Sequence, residues 1–103
     1  MEQEHINQSL SLIRKDLDLA PEAFGDHPPS YKDLLDQLTH IVEYLLNQDF
    51  NKLLNALYRI DVSEQKLKAA LANDQAEPAR LIAEMILERE LQKVETRIRY
   101  RGQ

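Results

Sequence analysis

Hydrophobic positions along this 103-residue chain recur every three and four residues rather than every two. That spacing gathers them on one side of a helix, where burying an apolar stripe drives folding. Ile6, Leu10, Ile13 and Leu17 form the first stripe and predict a helix over residues 4–19. It has to stop by Ala20, because the residue before Pro21 is pushed out of the α region. Residues 20–30 hold Pro21, Gly25, Pro28 and Pro29 and are expected to form a loop, with Phe24 as an apolar plug. Ser30 is an N-cap candidate with Asp33 at the capping-box position. Leu34, Leu38, Ile41 and Leu45, flanked by Leu35, Val42 and Leu46, give a wide stripe over 31–47 and predict the central helix.

Asn47-Gln48-Asp49 leaves two alternatives open. The period runs on through Phe50, Leu53 and Leu57, so one helix could continue to Ile60; a break capped by Asp49 gives a separate helix over 50–60. Ser63, with Val62 and Leu67 in hydrophobic-staple positions, starts a short helix over 64–73. Asp74, Glu77 and Pro78 mark the start of a last helix over 76–100. At 1.5 Å per residue it would be roughly 36 Å long, about the width of a domain of this size, so its end is expected to project. The pattern predicts an all-α fold in one domain, residues 1–103: a four- or five-helix bundle with short connections, antiparallel neighbours and a long C-terminal helix.

Composition narrows the chemistry. The chain has no cysteine, which removes disulfides, thiolate metal ligands and a cysteine nucleophile. Gly25 and Gly102 are its two glycines, too few for a phosphate-cradling loop or a dinucleotide fingerprint. No apolar run is long enough for a membrane span. Residues 1–18 carry Glu2, Glu4, Arg14, Lys15, Asp16 and Asp18, which is not the pattern of a secretory leader; a cytoplasmic location is expected. Charge is uneven, with a net of −8 over residues 1–88 and +3 over residues 89–103.

Candidate sites are few. Asp36, His40 and Glu43 sit at i, i+4 and i+7, a spacing that places carboxylate, imidazole and carboxylate on one helix face, where they could hold a metal; a solvated polar face is the commoner outcome. Asp61 lies between Ile60 and Val62, so it is the carboxylate weighed for a shifted pKa, against a plain role in the turn. The serines lack the flanking glycines of a nucleophile elbow. Residues 50–73 have the outline of a helix-turn-helix with 64–73 as its second helix, but Glu64 at the tip of that helix would repel phosphates. The last helix carries two rows. Leu87, Leu91, Val94 and Ile98 make an apolar row suited to a partner helix. Arg89, Lys93, Arg97, Arg99 and Arg101 make a basic row suited to RNA or to the helix dipole, with Glu90 and Glu95 diluting its charge.

The stretch from Leu46-Asn47-Gln48-Asp49-Phe50 through Leu57-Tyr58-Arg59-Ile60-Asp61-Val62-Ser63-Glu64-Gln65-Lys66-Leu67, with Glu88-Arg89-Glu90-Leu91-Gln92-Lys93, resembles a group of small bacterial helical proteins of unknown function. The resemblance covers about the C-terminal two-thirds of the chain. It implies a bacterial cytoplasmic protein and transfers no functional residue. With no catalytic constellation and no cofactor or small-molecule site implied, the expected function is a non-enzymatic protein–protein interaction module, self-association included. An RNA- or ribosome-associated factor using the basic row is the alternative.

Overall fold

A computed structural model describes residues 3–20, 23–25, 30–72 and 77–101. It contains five helices: α1 (Gln3–Asp16), α2 (Tyr31–Gln48), α3 (Phe50–Ile60), α4 (Glu64–Ala72) and α5 (Pro78–Arg101). Among the described residues there is no strand.

The caps explain most of these boundaries. The Ser30 hydroxyl accepts from the Asp33 N–H at 3.2 Å and starts α2. Asp49 separates α2 from α3: its backbone leaves the helix at φ −155°, ψ 70°, and its carboxylate accepts from the Lys52 N–H at 3.1 Å. An apolar period that runs straight through is thus interrupted by one capping side chain. Ser63 accepts from the Lys66 N–H at 3.4 Å and starts α4. Pro78 opens α5, where its missing N–H costs nothing, and Glu77 takes the cap position through its carbonyl, which accepts from Leu81 at 3.2 Å. Asp74, the expected cap, lies outside the described residues, as do Pro21, Pro28 and Pro29.

The first helix stops at Asp16, three residues short of the expected end. Asp18 takes the left-handed conformation at φ 53°. Leu19 N–H then donates to the Arg14 carbonyl at 2.8 Å and Asp18 N–H to the Lys15 carbonyl at 3.2 Å, the two bonds of a Schellman ending. Asp61 ends α3 the same way, at φ 68°, with Val62 N–H on the Leu57 carbonyl at 3.1 Å. Aspartate stands where glycine is usual at both ends; the α3 stop falls at Ile60 as expected, whereas the early stop of α1 has no such signal in the sequence. Beyond α1, the Arg14 guanidinium grips the Ala23 carbonyl with two hydrogen bonds of 3.0 and 2.6 Å. Phe24 is half-buried against the core, as the plug role requires.

The centre of the bundle is α5 rather than α2, since α5 packs against all four other helices and most extensively against α2 and α1. Its buried positions are Ala79, Ile82, Ala83, Ile86, Leu87, Glu90, Leu91 and Val94, a stripe that keeps the i, i+3, i+4, i+7 rhythm over four turns. The wide stripe of α2 (Leu34, Leu35, Leu38, Val42, Leu45) and the narrower one of α1 (Ile6, Leu10, Ile13, Leu17) close over it. Past Val94, Ile98 is half-buried and its neighbours Thr96, Arg97, Arg99 and Tyr100 are exposed, so the last turns of α5 do extend beyond the core.

Candidate functional site

The two rows of the last helix meet different fates. Leu87, Leu91 and Val94 are buried within the chain's own core, leaving half-buried Ile98 as the accessible member of the apolar row. The row was expected to outrun the bundle; instead α1 and α2 cover α5 as far as Val94. The basic row divides. Arg89 pairs with Asp61 at 3.4 Å and bonds the Gln92 amide oxygen at 3.4 Å. Lys93 reaches Asp16 at 3.7 Å and Glu90 at 3.8 Å. Arg97 and Arg99 are exposed, and the Arg101 side chain lies outside the described residues.

The Asp36-His40-Glu43 row does not converge. Asp36 is drawn to Arg80 of α5, with a 2.9 Å ion pair that ties α2 to α5. His40 and Glu43 face solvent. No group of three or more candidate metal ligands comes together among the described residues.

The buried carboxylate is Glu90 and not Asp61. The Asp61 side chain is 84% exposed and serves the α3 turn and Arg89. Glu90 has no exposed surface at all. Neither of its oxygens has a hydrogen-bond donor, and Lys93 stands 3.8 Å away. Burial first, and then the neighbouring Asp16 carboxylate, raise its pKa from the ordinary 4.5 to about 8; Lys93 and Arg89 pull the other way. At neutral pH Glu90 therefore holds its proton, which supplies the donor that the pair of carboxyls otherwise lacks. The other buried polar side chain, Ser9, is satisfied by donating to the Ile6 carbonyl at 2.8 Å.

Glu90 is legible in retrospect. It falls four residues after Ile86 and four before Val94, at a position where the α5 stripe demands an apolar side chain. Counting it as a charge among the arginines hid it.

A second feature came from placement alone. Phe50, Leu54 and Tyr58 share one stripe of α3 at i, i+4 and i+8, turned partly away from the core. Tyr58 is 78% exposed and Phe50 41%. With Leu57, Val62, Glu64 and Leu67, Leu54 and Tyr58 line a cleft of about 60 Å³ between α3 and α4. Val62 and Leu67, the staple pair expected from the sequence, are both among its lining residues and both pack partly against the core. A more polar hollow of about 240 Å³ lies on the other side of the same turn, lined by Asp61, Ser63, Lys66 and Arg89 among others.

Comparison with protein-family models, with curated proteins and with solved structures finds no match to this chain.

Proposed function

We propose that this chain is a non-enzymatic helical interaction module and that it binds a protein partner, a second copy included, through the outer face of α3 and the turn into α4. The observation that carries this reading is the exposed aromatic stripe. Tyr58 stands 78% exposed beside an apolar cleft, and Phe50 continues the stripe two turns of α3 earlier. Large amphipathic rings next to a small apolar pocket are what anchor protein interfaces, because they bury much area for few lost rotamers. Acid–base catalysis has less to draw on. The carboxyl with the strongly raised pKa, Glu90, has no exposed surface to offer a substrate.

An RNA or ribosome contact draws on one observation: Arg97, Arg99 and the 71% exposed Tyr100 stand together at the free end of α5. It has less charge than the sequence offered, since Arg89 and Lys93 already face carboxylates of this chain.

The test pairs capture from cell lysate with sedimentation of the purified protein, for the natural chain and for a Phe50→Ser, Tyr58→Ser double variant that leaves the core intact. A protein partner or dimer that persists at high salt and is lost in the double variant is the expected result. Binding that survives both substitutions would move the contact off this face. RNA that washes off steeply with salt would transfer the function to the end of α5.

A further inference from the structure

Among the described residues, Glu90 is the one charged side chain with no exposed surface. It sits where α1 meets α5, and its surroundings are mismatched. Asp16, at the end of α1, and Lys93 both face it, and Arg89, its neighbour in the chain, lowers its pKa through charge. The Lys93 ammonium spans the two carboxyls at 3.7 and 3.8 Å, too long for hydrogen bonds to either. One cation thus serves two carboxylates, and one of these lacks any donor.

We propose that Asp16, Glu90 and Lys93 form a proton-operated latch: a proton shared by the two carboxyls holds α1 on α5, and its loss to solvent loosens α1 while the other helices stay packed. Ionising Glu90 in place would leave a second negative charge buried against Asp16 with no donor for it, which a folded chain avoids by exposing the group. The cheapest exposure is to move α1. That helix joins the rest of the chain through the segment 17–30 and contributes one narrow stripe, whereas α2 and α5 hold each other with wide ones. Its release bares the section of the α5 stripe beneath it.

Linkage fixes the sign and the window. Glu90 binds its proton more tightly when α1 is docked, from the ordinary 4.5 up to about 8. Docking is therefore strongest below the lower value, weakens as pH rises between the two, and is flat above the upper one. The opening equilibrium grows about tenfold per pH unit inside that window, the slope of one proton.

Native-state hydrogen exchange tests this on the full chain, with rates corrected for the base-catalysed rise of exchange itself. The expected result is that opening of the amides of residues 10–17 increases about tenfold per pH unit between about pH 5 and pH 8, while amides of residues 38–45 in α2 stay better protected at every pH. In Glu90→Gln, which cannot ionise, the α1 slope disappears. Glu90→Met removes it too, and covers the case in which the amide fails to pack. A natural chain with pH-independent α1 opening, or the same slope in the variants, would overturn the latch. Equal protection of α1 and α2 throughout would also overturn it, since that is unfolding of the whole bundle.

Discussion

At Glu90 the folded chain keeps a proton that the unfolded chain gives up in the ordinary carboxylate range, and global stability must follow. The folded pKa is raised from 4.5 to about 8, so this contribution is complete below the lower value and lost as pH rises to the upper. At about 1.4 kcal/mol per unit, the loss amounts to about 5 kcal/mol. Urea unfolding of the natural chain and of Glu90→Gln isolates it: the stability difference between them should shift by that amount in favour of the variant between pH 4.5 and pH 8. Asp18 gives a second residue-scale prediction. Its left-handed φ of 53° suits glycine, so Asp18→Gly should stabilise by about 0.5–1 kcal/mol and raise the thermal midpoint by a few degrees in circular dichroism. Both residues show where a sequence falls silent. Asp18 stops a helix by backbone geometry with no glycine to announce it. Glu90 breaks an apolar rhythm that only becomes decisive once α5 is known to be buried on that side.

Between elements, side chains divide the labour unequally. The stripes that predicted α1, α2, α3 and α5 are the ones that pack, because a 3.6-residue period survives any choice of neighbour. What periodicity does not encode is which helix covers which. That is why α5 rather than α2 proved to be the hub, and why Leu87, Leu91 and Val94 turned inward. The period left a continuous helix and a break at Asp49 both open, and the local capping bond of Asp49 decides for the break. Replacing it by alanine should cost about 1 kcal/mol in denaturant unfolding, the ordinary loss for an N-cap. The short α4 has one buried residue, Ala70, and packs half-buried Leu67 against the core beside it. Leu71→Ala on its exposed side should change stability by less than about 0.5 kcal/mol, whereas Leu38→Ala in the core of α2 should cost about 2–5 kcal/mol. Chemical denaturation of the two variants side by side would test that contrast.

Viewed whole, the molecule measures 42 × 29 × 24 Å, and the 24 residues of α5, roughly 36 Å long, are enough to run most of its longest dimension. The cluster of exposed Tyr58 and Phe50 and the group formed by buried Glu90 with half-buried Asp16 and Lys93 depend on that one helix in different ways. The first sits on elements docked against it, and the second is partly built from it. Ending the chain after Ala72 should therefore leave the apolar stripes of α1 and α2 without a core, and circular dichroism should show a largely non-cooperative, weakly helical chain.

The position of the hub along the chain also sets an order of events during synthesis. Four helices precede the one they pack upon. At about 5–20 residues per second, making the 24 residues of α5 takes roughly one to five seconds. Through that interval Leu34, Leu38 and Val42 have no α5 stripe to close against, so the nascent chain offers chaperones the surface that the finished molecule hides.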